Sequence, residues 1–287
     1  MIARNLTSSY LTTASGTKTH YLQGGNPSGQ LLICLHGLGG STETFLPLVS
    51  SLLQTHSVIL VDFPGFGKTP LTESARPLSI EGHVADLGDL VTSLQGTSSD
   101  PASSGVVIIG HSLGAIVALH FAARYPQIVR GLTLIGPGRA AGHVPAVRQR
   151  MLDLAAAVRK EGINYAAAAA AKSNFYEDTQ SRKVDPATRE AVRIDVSSSD
   201  PEAYAQTCEA IVATSHTDPE YKDITCPIVF VAGDKDMISP VERSNDLSSL
   251  VGGRSCVVVV QSGHQSILED LTGVERAVEQ LFEAMAE

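Results

Sequence analysis

Short apolar runs alternate with helix-period patterns along most of the chain. The runs at 30–35, 57–62, 106–110, 131–135, 228–233 and 255–260 are rich in Val, Ile and Leu. Several are nearly unbroken, which predicts strands covered by helices on both faces, because a strand with one wet face would alternate apolar and polar positions. Helical periodicity falls near 42–53, 80–94, 113–124, 241–250 and 274–286. Alternation of this kind predicts an α/β fold built on a mostly parallel, doubly wound sheet. Two weaker runs, near Tyr10 and over 20–23, predict an antiparallel edge at the N-terminus.

The alternation stops between Gly138 and Asp223, where the pattern is helical, Ala-rich and punctuated by Pro145, Pro186, Pro201 and Pro219. The Ala run at 165–172 reflects strong helix propensity. These features predict a helical cap over 138–223, inserted into a core made of 1–137 and 224–287. Ligands of open α/β sheets bind at the carboxyl ends of the strands, where this insertion emerges. A lid is therefore favoured over a separate bundle with no part in substrate binding.

Composition narrows the function classes. With 43% hydrophobic and 18% charged residues over 287 positions, the chain reads as folded rather than disordered. A net charge of −9 argues against nucleic acid as a partner, since phosphate binding needs clustered Lys and Arg. The apolar runs are strand-length, so no membrane span is expected. Residues 1–16 are Ser/Thr-rich and lack the apolar core of a secretory signal, so a cytoplasmic location is expected. Cys34, Cys208, Cys226 and Cys256 lie far apart with no C-x-x-C pair, which argues against a metal site or a disulfide framework. Cys34 and Cys256 sit in apolar runs and are expected as reduced core residues.

The central motif is Gly110-His111-Ser112-Leu113-Gly114, between the apolar run 106–110 and the helical run 113–124. Strand, sharp turn and helix are the setting of a nucleophile elbow. Glycine fits two residues before and after the serine, where side chains would collide. The turn lifts the Ser112 hydroxyl above the sheet edge and aims the helix N-terminus at the reacting centre. The plainer reading is a glycine-flanked turn in which serine only caps a helix.

Leu35-His36-Gly37-Leu38-Gly39-Gly40-Ser41 follows the run 30–35. A glycine-rich turn lets backbone N–H groups face a cavity, and an oxyanion needs two preorganised donors. The expected pair is the N–H of Leu38 and that of Leu113, just after the nucleophile. His36 is read as part of the turn, not as a catalytic base. His111 flanks the nucleophile and is expected to point elsewhere. Asp62-Phe63-Pro64-Gly65-Phe66-Gly67-Lys68-Thr69 ends like a P-loop, but that motif needs glycine where this chain has Asp62, which rules against nucleotide binding.

A serine hydroxyl is a poor nucleophile at neutral pH and needs a base to take its proton. On this architecture the acid and then the histidine follow the nucleophile in chain order, each after a late strand. The run 228–233 leads into Asp234-Lys235-Asp236, and the run 255–260 leads into Gln261-Ser262-Gly263-His264. His264 is therefore the expected base. Asp236 is the preferred carboxylate to hold its tautomer, with Asp234 the second candidate.

The motifs HGLGGS at 36–41, DFPGFGKT at 62–69, GHSLG at 110–114, AGDKDMISP at 232–240 and SGH at 262–264 resemble those of the α/β-hydrolase superfamily across essentially the whole chain. The resemblance implies an α/β-hydrolase fold with a mostly parallel eight-stranded sheet flanked by helices. It supports Asp236 as the acid and makes 138–223 the cap. Within the superfamily, the chain resembles the group that contains 3-oxoadipate enol-lactonases and cofactor-free haloperoxidase-like esterases, and the segment 203–211 is similar to the enol-lactonase cap. The chain departs from many enol-lactonases in having His36-Gly37 in place of Asn-Ser, and it has no tryptophan. The resemblance implies serine-dependent hydrolysis of a small carboxylic ester or lactone by water, with no metal and no organic cofactor. Two other readings remain: a ligand receptor on a hydrolase fold with little turnover, and acyl transfer through the same acyl-enzyme. A homodimer is left open. Arg139, Arg148 and Arg150 are candidates to bind a substrate carboxylate, against a plainer reading as solvated helix faces.

Overall fold

The computed structural model describes residues 6–72, 77–95 and 105–286, so the first five residues of the Ser/Thr-rich N-terminal stretch lie outside the described residues. The apolar runs form strands β3 (Gln30–Leu35), β4 (His56–Val61), β5 (Val106–His111), β6 (Val129–Ile135), β7 (Ile228–Gly233) and β8 (Ser255–Val260). The two weaker runs are strands as well, β1 (Leu6–Thr12) and β2 (Lys18–Gly25). All eight join one sheet in the order β1-β2-β4-β3-β5-β6-β7-β8. From β4 to β8 every pairing is parallel, while β2 runs antiparallel to both β1 and β4. The fold is the expected α/β-hydrolase arrangement.

Alternate residues of the central strands enter two separate cores. Ile33, Leu35, Ile108 and Leu134 pack under α2 (Ile80–Gln95) and α3 (Leu113–Arg124). Leu32, Cys34, Val107 and Ile109 pack on the other face under the short α1 (Leu46–Val49) and the last helix, which spans Leu271–Ala286. That two-sided burial is why β5 carries no exposed position and reads as an unbroken apolar run. The same inference fails at the edge. Cys256, expected in the core, is exposed, and Val259 is 54% exposed. These two residues lie on opposite faces of β8, the last strand, where neither face is fully covered. Cys208 and Cys226 are buried along with Cys34.

The single helix expected over 42–53 is broken. A 3₁₀ turn at Thr42–Phe45, the four residues of α1 and a second 3₁₀ turn at Leu52–Gln54 occupy that stretch. Pro47 accounts for the first break: it has no N–H to donate to the preceding turn, so the 3₁₀ turn cannot run on as one α-helix, and Pro47 stands instead in the first turn of α1. Between β6 and β7 lie α4 (Pro145–Glu161), α5 (Ile163–Ser173), α6 (Pro186–Ser197) and α7 (Pro201–Ile211). Three of these helices start on the prolines that punctuate the sequence. At such a first-turn position the missing N–H has no partner to lose. Asp185 and Asp200 cap α6 and α7 by accepting from the N–H groups of Ala187 and Ala203. Helix α4 packs on α7, and α5 on α6. After β7 come α8 (Val241–Leu250), α9 (Ser266–Glu269) and α10 (Leu271–Ala286). Among the described residues no helix is long and apolar enough to cross a membrane.

One buried carboxylate ties the front of the sheet together. Asp62, just past β4, accepts from Thr42 N at 2.7 Å, from Lys68 N at 2.9 Å and from His20 Nδ1 at 2.7 Å. Thr69 Oγ1 donates to the Asp62 carbonyl and accepts from His20 N. The P-loop-like stretch is thus a loop folded around a carboxylate, which is why an aspartate stands where a phosphate site would need glycine. Burial raises the Asp62 carboxyl, but the His20 and His36 rings and the two N–H groups together bring it below its ordinary value of 3.8.

Replacing Asp62 with Ala leaves the His20 ring and two N–H groups buried without their partner. We expect a loss of about 3–5 kcal/mol in urea unfolding at neutral pH. Because the folded pKa lies below the unfolded one, this contribution is complete above the ordinary value and lost as pH falls through the folded one. The gap between wild type and variant should therefore close under strongly acidic conditions.

Candidate active site

Ser112 stands between the end of β5 and the start of α3 with φ +50° and ψ −107°, the only non-glycine residue at positive φ among the described residues. Such a conformation costs about 1–3 kcal/mol and persists only where its surroundings enforce it. The enforcement is visible. Ser112 N donates to Ile135 O at 2.9 Å, and Gly114 N donates to His36 O at 3.0 Å. A β-carbon on Gly114 would overlap the Leu35 carbonyl oxygen, and one on Gly110 would come within 2.6 Å of the Gly114 oxygen. Both glycines of the motif are there because backbone passes against backbone.

The 36–41 turn presses on the same point. At Gly37 an added β-carbon would lie 2.9 Å from His111 Nδ1 and 3.2 Å from the Ser112 β-carbon. His36 is fully buried and its proton is assigned by its partners. Phe63 N donates to Nε2 at 3.0 Å, so Nδ1 carries the hydrogen and donates to Gly37 O at 2.7 Å. Burial lowers its pKa despite the nearby Asp62, which keeps the ring neutral in this role. His36 is a strut of the turn, as expected. Neither Leu38 N nor Leu113 N donates to an acceptor among the described residues. The two N–H groups expected to meet an oxyanion are therefore unengaged, on turns that touch at Gly37 and Ser112.

The late-strand loops bring Asp236 and His264 together. His264 Nδ1 donates to Asp236 Oδ2 at 2.7 Å, leaving Nε2 with its lone pair. Asp236 Oδ1 accepts from Ile238 N and Ser239 N, each at 2.8 Å. Burial pushes the Asp236 carboxyl up, but His264 and these two N–H groups hold it below the ordinary carboxylate value. Asp234, the second candidate, instead faces Arg182 in an ion pair at 2.7 Å. Among the described residues Ser112 Oγ makes no hydrogen bond, so the serine–histidine contact is the one link of the expected trio that is open.

Three supports of His264 carry no local signature in the sequence. His111 Nε2 donates to the His264 carbonyl at 2.8 Å, with the two ring centroids 5.0 Å apart. Burial drives the His111 pKa down to about 3, so this ring also stays neutral. Glu269 accepts from the N–H groups of Gly263 and Gln265, on either side of the base. From the inserted helices, the Asn174 carbonyl accepts from His264 N at 2.8 Å.

A cavity of about 550 Å³ opens beside this centre, with Gly37, Leu38, His111 and Gln265 on one wall and Asp195 and Val196 of α6 on the other. Ser112 and His264 do not themselves line it; their immediate neighbours do. Arg139, a candidate to bind a substrate carboxylate, is held by Asp218 through Nε at 2.9 Å and through Nη2. Asp218 is fixed in turn by Ala140 N and the Tyr221 hydroxyl. Arg148 and Arg150 do not line the cavity.

A model of the alpha/beta hydrolase family matches residues 32–283. Lipase 1 of Psychrobacter immobilis is 28% identical over 274 residues, covering 91% of this chain and 79% of the lipase. Two solved structures share the fold. A thermophilic esterase from Thermogutta terrifontis superimposes with a TM-score of 0.84 at 22% identity, over 98% of this chain and 100% of that one. The enol-lactonase from Burkholderia xenovorans gives a TM-score of 0.80 at 22% identity, over 96% of this chain and 100% of that one.

Gly136 tests how closely the pair is held. It has φ +52°, and an added β-carbon would lie 3.1 Å from the His264 ring and 3.2 Å from Asp236 Oδ2. Gly136→Ala should lower stability by about 1–3 kcal/mol. It should also weaken or abolish the low-field proton NMR signal of His264 Nδ1–H, while a distant change of equal thermal cost leaves that signal in place.

Proposed function

Because the chain belongs to the alpha/beta hydrolase family, we propose that it hydrolyses small carboxylic esters or lactones through an acyl-enzyme on Ser112. The observation that carries this reading is the Asp236–His264 hydrogen bond of 2.7 Å, beside a serine held at positive φ. Asp236 keeps the proton of His264 on Nδ1, so Nε2 is free to take the hydroxyl proton as Ser112 attacks the carbonyl. The N–H groups of Leu38 and Leu113 receive the charge that develops on the carbonyl oxygen. His264 then returns its proton to the departing alkoxide. A water molecule, activated by the same nitrogen, hydrolyses the acyl-enzyme and regenerates Ser112. For a lactone the leaving alkoxide stays tethered to the acyl group, so water must arrive before the ring recloses.

In this reading residues 138–223 form a cap over a core of 1–137 and 224–287. Two bonds from the inserted helices to the core support it: Asp200 N donates to Gly65 O at 2.8 Å, and His264 N donates to Asn174 O at 2.8 Å. The second reaches the base itself, so movement of the cap and positioning of His264 are linked.

Steady-state hydrolysis of short esters and small lactones tests the proposal. Ser112→Ala should lower kcat/KM by at least about 10³-fold. Asp236→Asn should lower kcat by about 10⁴-fold, since an amide no longer selects the right tautomer. Wild-type rates in Ser112→Ala would remove Ser112 from the mechanism.

A further inference from the structure

The cavity beside Ser112 carries charges that the proposed chemistry does not use. Asp195, on α6, projects toward the 36–44 turn and accepts from Ser41 Oγ at 2.8 Å. It lines the cavity together with Glu43, and Lys68 is the one cationic side chain in that lining. Asp195 is half-buried while Glu43 and Lys68 are both exposed, so the Asp195 carboxylate lies in the least screened position. The remaining wall is mainly apolar, with Leu38, Val192 and Leu268 among its residues. No arginine is among the described residues that line the cavity. On α6 itself, Arg189 faces Asp178 at 3.2 Å and Arg193 faces Glu190 at 2.5 Å, and Arg139 is committed to Asp218.

We propose that Asp195 makes this cavity selective for substrates whose distal end is uncharged and turns away those that carry a carboxylate there. The inference rests on the ester and lactone hydrolysis proposed above and specifies its substrate class. An apolar pocket with one half-buried carboxylate accommodates an alkyl or neutral polar group. A second carboxylate brought into it must lose hydration beside a like charge. A lactone bearing a free carboxylate, the class implied by the enol-lactonase resemblance, is then a poor substrate.

The selectivity depends on pH in a defined direction. Burial, opposed by the Ser41 hydroxyl, and the charges of Asp62 and Glu43 push Asp195 up to about 6, with the Thr44 hydroxyl also opposing. Asp62 acts from the end of β4 and Glu43 and Thr44 from the 3₁₀ turn, while Lys68, of the 62–69 loop, lines the same cavity. Asp195 is charged above that value and neutral below it. A carboxylate on the substrate, with a pKa of roughly 4, stays ionised throughout the change. Rejection is therefore full at pH 8 and relaxes toward pH 5.

Two matched series of 4-nitrophenyl and alkyl esters test this, one ending its acyl chain and the other its alcohol chain in either methyl or carboxylate. Wild type should prefer the methyl-ended member by about tenfold or more in kcat/KM at pH 8, in the series whose distal end enters the cavity. Asp195→Asn keeps an acceptor for Ser41 and should shrink that ratio at least threefold, with no remaining pH dependence of the ratio. Binding of the same esters to Ser112→Ala, followed by calorimetry, reads the preference without turnover. It therefore separates a failure of this inference from a failure of the hydrolase reading. A preference for the carboxylate-ended ester in both series, or ratios unchanged by Asp195→Asn, would overturn the assignment.

Discussion

The arrangement of this molecule hangs on one close approach, the passage of the Gly114 backbone against the carbonyl of Leu35. It draws the first turn of α3 under the end of β3, so the chain must leave β5 through a turn that a β-carbon scarcely tolerates. Ser112 takes that turn. Because Gly114 N also binds the His36 carbonyl, the two loops that follow β3 and β5 are locked in register. The turns that carry Leu38 and Leu113 therefore cannot slide past each other.

A second tier of contacts works outward from that point. Asp62 gathers the 3₁₀ turn at Thr42–Phe45, the 62–69 loop and His20 of β2, giving the inserted helices a firm base. On it rest Asp200 through Gly65 and Asp195 through Ser41. The insertion reaches the other side of the site through Asn174, on the backbone of His264. It is bound at both ends of the proposed centre and is not a lobe suspended from one hinge.

Much of this was legible in the residues. Unbroken Val/Ile/Leu runs marked the strands, and the loops after β3, β5, β7 and β8 carried the residues that converge. The choice between Asp236 and Asp234 was not settled by spacing; it follows from what each carboxylate touches, His264 in one case and Arg182 in the other. Other features were hidden because they join residues distant in sequence. Nothing near His111 announces that it holds the carbonyl of a residue 153 positions later, and nothing near Arg139 announces Asp218. Two local readings went astray for local reasons. Pro47 broke a helix that periodicity extended through it, and Cys256 was taken as core because an apolar run does not reveal that its strand is last in the sheet.

The conformation of Ser112 has a consequence for how this chain can change over evolutionary time. Selection for folding alone favours glycine at that position, since glycine adopts positive φ at little cost. In the reading proposed above the hydroxyl serves the reaction against that preference, and the stability it forgoes is supplied by the cores on the two faces of the sheet. A lineage released from the need for the reaction would drift toward a sturdier protein at this residue, whereas one that keeps it must hold stability in reserve elsewhere. With Ser112 as the proposed nucleophile, position 112 is where durability and activity select different amino acids.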